Sequence, residues 1–143
     1  REFAYAFAED KYPGVPEIEV HEITNQPFVI AGVSIIPILV KHYFLDVLGF
    51  RFGDFTYITD ANFISDEELE KVKGSEVLVI NALRKTTHIS HFTLDEALEV
   101  INKIKPKKAY ITHISHMMGL HAEVEKELPP HVHLAYDGLT LQL

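Results

Sequence analysis

Residues 47–60 read VLGFRFGDFTYITD, and this stretch decides the fold. Its two runs, Val47 to Phe52 and Phe55 to Thr59, are rich in aromatic and β-branched residues. They flank Gly53-Asp54, the kind of two-residue connection that closes a tight β-hairpin. The second strand therefore delivers Asp60 at its C-terminal end.

Upstream, Phe28 to Ala31 and Val33 to Val40 read as a strand pair turned at Gly32. Ile18 to Ile23 alternates apolar and polar residues with the period of an extended segment. Tyr12-Pro13-Gly14-Val15-Pro16 interrupts residues 1 to 8, which read as the end of a helix. The first half is thus expected to be antiparallel sheet. Downstream the period changes. Ser65 followed by Glu68 is a capping box that predicts a helix over Asp66 to Lys73, stopped by Gly74, and Val77 to Ile80 is then a buried strand. Thr93-Leu94-Asp95-Glu96 opens a helix with Leu94, Ala97, Leu98, Ile101 and Ile104 at helical spacing, and Pro106 ends it. Ala109 to Thr112 predicts a strand and Leu120 to Leu128 a helix stopped by Pro129-Pro130. Val132 to Ala135 and Leu139 to Leu141 predict a hairpin about Asp137-Gly138. Strands followed by alternating strand and helix predict an α/β layered fold in one domain.

Hydrophobic residues at 47% and charged residues at 24% of 143 positions describe a chain able to bury one core. A net charge of −8 with no basic run argues against a nucleic-acid partner gripped through its phosphates. Cysteine is absent, which excludes disulfides, thiolate metal sites and a cysteine nucleophile. Any metal must be held by nitrogen and oxygen, and the composition suggests the cytoplasm. The longest apolar stretch, Phe28 to Val40, is broken by Gly32 and Pro37 and is too short for a membrane span. The chain opens at Arg1 with neither an initiator methionine nor a signal-peptide pattern, and this start reads as an internal cut.

Metal-capable residues fall just beyond the C-terminal ends of predicted strands: His42 after Val33 to Val40, Asp60 after Phe55 to Thr59, His113 after Ala109 to Thr112. His88 and His91 lie in the loop after Val77 to Ile80, and His116 in the loop after His113. Layered α/β folds place their sites at such ends. Each residue alone has a plain reading as a cap or turn former. Five histidines and an aspartate on one rim, however, are a ligand set suited to zinc, manganese or iron. His21, His131 and His133 sit in or beside alternating segments and read as edge or surface residues.

Tyr57-Ile58-Thr59-Asp60, then His91-Phe92-Thr93-Leu94 with Asp95-Glu96-Ala97, then Thr112-His113-Ile114-Ser115-His116, resemble consecutive landmarks of the metallo-β-lactamase superfamily. The likeness is to the PhnP-type phosphodiesterase branch and runs from about Ile35 to the Tyr136-Asp137-Gly138 turn. It implies an αββα sandwich with an antiparallel or mixed sheet and helices on one face. It implies a binuclear site as well: Asp60 as the bridging carboxylate, His42 completing one metal site, His113 in the other, and His91 as the catalytic histidine near substrate phosphate. His116 and His88 are given places behind the metal ligands or on the substrate side. The cofactors would be two divalent ions, zinc or manganese, and the reaction phosphodiester hydrolysis by a metal-bound hydroxide.

One departure is large. The family's His-x-His-x-Asp-His motif occurs nowhere in these 143 residues. Residues 1–143 are therefore expected to be a single partial domain, the C-terminal half of the sandwich, inactive alone and either empty or holding one ion weakly. The expected partners are a small phosphodiester substrate, the missing N-terminal segment, and a second copy in a homodimer, with no membrane and no nucleic acid. The alternatives are a catalytically silent binding or scaffold domain of the same fold, an RNA-processing nuclease, and a thioester hydrolase.

Overall fold

The Gly53-Asp54 turn forms as its sequence predicts. It joins β3 (Leu45–Phe52) to β4 (Phe55–Ile58), antiparallel, with Phe52 opposite Phe55 and Phe50 opposite Tyr57. The structure, a computed structural model, describes residues 4–8, 12–16 and 18–142. Before this hairpin, β1 (Phe28–Ile30) and β2 (Val33–His42) are joined through Ala31-Gly32, both at positive φ as a type I′ connection requires. β2 then pairs along β3 from Ile35–Phe52 to His42–Leu45. A short β5 (Phe63–Ile64) returns to the outer edge of β2. After it come α1 (Asp66–Val72), β6 (Val77–Asn81), α2 (Leu94–Ile104), β7 (Lys108–Thr112), α3 (His121–Val124) and β8 (Val132–Leu134).

These strands make one mixed sheet in the order β1-β2-β3-β4-β6-β7-β8, with β5 beside β2. β1 through β4 are antiparallel; β4, β6, β7 and β8 are parallel. Because β2 and β4 are each antiparallel to β3, they run the same way. The C-terminal ends of β2, β4, β6 and β7 thus share one edge of the sheet.

Register partners share a face, so the sheet divides cleanly. Ile38, Val40, Ile58, Leu78, Ile80, Ala109, Ile111, Val132 and Leu134 turn toward the helices and form the core with Leu69 and Val72 of α1 and Leu94, Ala97, Ile101 and Ile104 of α2. The helices start where side chains can satisfy their free N–H groups. Ser65 accepts from the Glu68 N–H, and Thr93 accepts from the Glu96 N–H while the Glu96 carboxylate accepts from the Thr93 N–H. The opposite face carries an aromatic row. Phe28 meets Phe50 edge-on at 6.5 Å, and Phe52 lies 6.5 Å from Phe50 and 6.3 Å from Phe55 between ring centroids. Tyr57 on this face is exposed.

Four sequence expectations fail in whole or in part. Leu139 to Leu141 is not a strand: β8 pairs instead in parallel with β7, and the tail leaves it through a turn closed by Leu139 N–H to Tyr136 O at 3.1 Å. Leu141 there lines a cleft with Val77 and Tyr110 on the open face. The helix expected over Leu120 to Leu128 is only His121–Val124 followed by a 3₁₀ turn, Glu125–Glu127. It has no side-chain N-cap, and Glu125 turns to bind the Leu134 N–H and His133. Ile18 to Ile23 forms no strand, and Ile18, Val20 and Ile23 stay exposed, since their alternation meets no sheet edge. At the N-terminus Ala4–Phe7 is a 3₁₀ turn, and the rest of that expected helix lies outside the described residues apart from Ala8, which is not helical. No described helix is long and apolar enough to cross a membrane.

Candidate metal centre

The shared edge of C-terminal strand ends gathers the site. His42 is the last residue of β2, Asp60 follows β4, His88 and His91 sit in the loop between β6 and α2, and His113 follows β7. Asp60 and His113 leave their strands in the left-handed region, with φ of 54° and 58°. Few residues without a glycine's freedom do this, and Asp and His are among those enriched there. A left-handed residue ends a strand abruptly and aims its side chain across the sheet edge.

One ligand atom each from His42, Asp60 and His91 lies within 4.8 Å of the others, forming a group of metal-binding composition among the described residues. Ligands about 2.0–2.2 Å from one ion stand at most about 4.4 Å apart, so the group needs only a small side-chain closure to hold an ion. Two imidazoles and a carboxylate are a donor set that suits a borderline divalent metal. His113 adjoins the group. Its ring stacks on His91 at 4.6 Å and its Nδ1 lies 3.8 Å from Asp60 Oδ1.

His91 is the centre of the cluster. His42 meets its ring edge-on at 4.8 Å; Nε2 faces Asp60 Oδ1 at 3.4 Å, while Nδ1 lies 3.0 Å from Ser90 Oγ and 3.2 Å from His88 Nδ1. Burial is the main influence on this imidazole. With His113 and His42 beside it, burial holds the pKa below its usual value against the opposing pull of Asp60. The neutral form that binds metals is therefore favoured near pH 7. For Asp60, burial pushes the pKa up, but the Thr59 hydroxyl, donating at 3.0 Å, and the His113 and His91 imidazoles outweigh it. The carboxyl is held below its ordinary range and is an anion at neutral pH.

The expected site residues are thus distributed as follows. His42, Asp60, His91 and His113 converge, and His88 braces His91 from behind. His116 is exposed and is not among the described rings in contact with them. The sequence puts His91 on the rim and the resemblance gives it a catalytic place, but its grouping at ligand distance with His42 and Asp60 was not legible, because a loop of nine residues lies between the end of β6 and His91. Asn62 and Asn81, which bond to the backbone of the site, also escaped it. The polar end of an otherwise apolar strand, Val77-Leu78-Val79-Ile80-Asn81, is the signal that would have marked Asn81. Beyond His113, Thr112, Ile114, Ala135, Tyr136 and Asp137 enclose a cleft of about 230 Å³.

A mixed sheet backed by helices, with histidines and a carboxylate gathered at its C-terminal strand ends, defines a metal-binding α/β protein. The beta-lactamase superfamily domain matches residues 1–114, and the chain belongs to that superfamily. Within it the relationship is to the PhnP-like phosphodiesterase branch. A solved diphosphatase from the PhnP family is 37% identical, with a TM-score of 0.85 over 87% of this chain and 49% of that one. The metallo-beta-lactamase fold protein YhfI of Bacillus subtilis is 17% identical, with a TM-score of 0.70 over 84% of this chain and 54% of that one, a likeness of fold. A curated octanoyltransferase of Porphyromonas gingivalis is 36% identical over 137 residues, 94% of this chain and 28% of that protein. The chain thus spans about half the length of the diphosphatase and about a quarter of the octanoyltransferase.

Proposed function

We propose that the full-length protein is a metal-dependent hydrolase of phosphodiester or diphosphate substrates and that residues 1–143 supply the C-terminal part of its binuclear site. The observation that carries this reading is the convergence of His42, Asp60, His91 and His113 on one strand-end edge. The 37% identity to a diphosphatase supports the substrate class.

In this reading Asp60, His42 and His113 would be the residues of this chain that hold two divalent ions, zinc or manganese. Bound there, divalent ions supply Lewis-acid charge for a phosphoryl oxygen and make a water acidic. The chain's own residues do the rest. His91, neutral and buried beside Ser90 and His88, presents Nε2 toward the Asp60 side, where its N–H would steady the phosphoryl group or the leaving oxygen by a hydrogen bond. The remaining metal ligands and the second layer of the sandwich are contributed by another segment of the protein, and the open aromatic face is where that layer or a second copy packs. The cytoplasm is the proposed compartment, and the isolated chain is proposed to be inactive.

The experiment is a pair of variants in the full-length protein. His91→Ala is expected to keep its metal content and lose about 10²- to 10⁴-fold in kcat, whereas His113→Ala is expected to lose metal by elemental analysis. Full turnover in the first, or full metal content in the second, removes that residue's role. A full-length wild type purified without metal, and inactive after metal addition, overturns the hydrolase reading. The octanoyltransferase similarity favours a second reading, an acyl-ester or thioester substrate. Comparing thioester with phosphodiester hydrolysis by the same preparation separates the two.

A further inference from the structure

Asp60, Ala61 and Asn62 lie where three elements of the site meet, and the Ala61 N–H and carbonyl and the Asn62 N–H and side-chain amide are all hydrogen-bonded there. The Ala61 N–H donates to Asn81 Oδ1 at 2.9 Å, and Asn81 Nδ2 donates back to Ala61 O at 2.9 Å. The side chain of Asn81 thereby extends the β4–β6 pairing beyond its last backbone pair, Ile58–Ile80, past the point where Asp60 turns into the left-handed region. Asn81 is fully buried, and a buried amide that lost either bond would be left unsatisfied. Ala61 O also accepts from the N–H of Phe92, the residue after His91, at 2.8 Å.

Asn62 makes the other connection. Its N–H donates to Lys41 O at 2.8 Å, and its Oδ1 accepts from the Tyr43 N–H at 2.9 Å, so it grips the chain on both sides of His42. Its Nδ2 donates to Ile89 O at 3.2 Å, in the loop between His88 and His91. Three segments of the site that are remote in sequence therefore share one short backbone anchor.

We infer that Asn62 and Asn81 are positioning residues that fix the spacing of His42, Asp60 and His91 before any metal arrives. This rests on the metal-centre reading for its function, while its structural content stands without a metal. A bare strand-end cluster would have to order three loops on binding, and that ordering would weaken affinity; an anchored cluster has already done so. Groups that orient metal ligands typically contribute about 10- to 100-fold in metal affinity.

The test uses the full-length protein with Asn62→Ala, a half-buried position, and Asn62→Asp, which keeps the acceptor for Tyr43 and loses the donor to Ile89. Two readouts are taken: Co²⁺ affinity by absorption titration, and, without metal, ring-to-ring nuclear Overhauser contacts between His42 and His91 with hydrogen exchange of the Tyr43 amide. In Asn62→Ala the expected result is about 10-fold or greater loss of Co²⁺ affinity, loss of the His42–His91 contact, and faster Tyr43 exchange. Asn62→Asp should recover Tyr43 protection. Asn62→Ala with the metal-free ring contact and Tyr43 protection unchanged overturns the inference, whatever its affinity. A wild type that binds no Co²⁺ but shows the contact, lost in Asn62→Ala, instead overturns the metal reading and leaves the anchoring role in place.

Discussion

Glu68 offers the sharpest stability prediction. It is a nearly buried carboxylate on α1, and each of its partners belongs to something different. Oε2 accepts from the Leu39 N–H at 2.8 Å and Oε1 from Asn25 Nδ2 at 2.8 Å, while Lys71 Nζ approaches at 2.8 Å. β1 covers the outer edge of β2 as far as Ile35, and β5 covers it from Val40. The gap between them is closed by Pro37, which has no N–H to leave unpaired, by Lys71 donating to Pro37 O at 3.5 Å, and by Glu68 on Leu39. Removing one member of a buried ion pair costs about 3–5 kcal/mol. Lys71 is about a quarter exposed and can rehydrate, so about 3 kcal/mol is expected for Glu68→Ala. At roughly 3 °C per kcal/mol for a chain of this size, that is about a 9 °C fall in Tm. Glu68→Gln keeps an acceptor for Leu39 and should lose about 1–1.5 kcal/mol. Burial pushes the Glu68 carboxyl up, but the bonds from Lys71, Asn25 and Leu39 outweigh it, so the folded pKa lies below the usual glutamate value. The stabilisation is therefore complete above the unfolded pKa and fades as pH falls through the folded one. Urea titrations of wild type and Glu68→Gln should show a constant gap at neutral pH that closes on acidification. A gap that widens in acid, or a loss under about 1 kcal/mol in Glu68→Ala, would refute the edge-sealing account.

Two further substitutions test the frame that carries the site. At Gly49 an added Cβ would stand 2.8 Å from Ile58 Cγ1 and 3.0 Å from Tyr57 O, a backbone atom that cannot yield. Gly49→Ala should cost about 1–3 kcal/mol in chemical denaturation, and a neutral result would show that β3 and β4 slide apart freely. Thr93→Ala removes one half of the α2 capping box and should lose about 1 kcal/mol. In a double-mutant cycle with Glu96→Ala the losses should be less than additive, and full additivity would mean that the two side chains cap independently.

Local chemistry was legible. Gly53-Asp54, Ser65 and Thr93 each specify a turn or cap through neighbours a few residues away. Ser65 caps α1 with its hydroxyl alone, because the Glu68 carboxylate turns to Leu39, Asn25 and Lys71 and does not complete the expected box. The turn and the Thr93 box behaved as read. So did the placement of His42, Asp60 and His113 at strand ends, since a strand's length fixes where its last residue falls. The failures need partners distant in sequence. Asp137-Gly138 has hairpin composition, yet Val132 to Leu134 found β7 as a parallel neighbour, which nothing in the turn encodes. Ile18 to Ile23 has strand periodicity but no edge to join. His91 entered the ligand group because Ala61 O holds the Phe92 N–H, a contact spanning 31 positions that no local pattern announces.

The left-handed backbone at Asp60 and His113 restricts how this site can change. On the proposed metal reading, a residue there must both supply a ligand atom and tolerate positive φ, and few side chains other than Asp, Asn and His do both. Glutamate at position 60 would keep the charge but lose the conformational ease, and glycine would keep the ease but lose the ligand. On that reading, ligand replacement at these two positions is confined to exchanges among Asp, Asn and His, and wider tuning of metal preference falls to the residues around them.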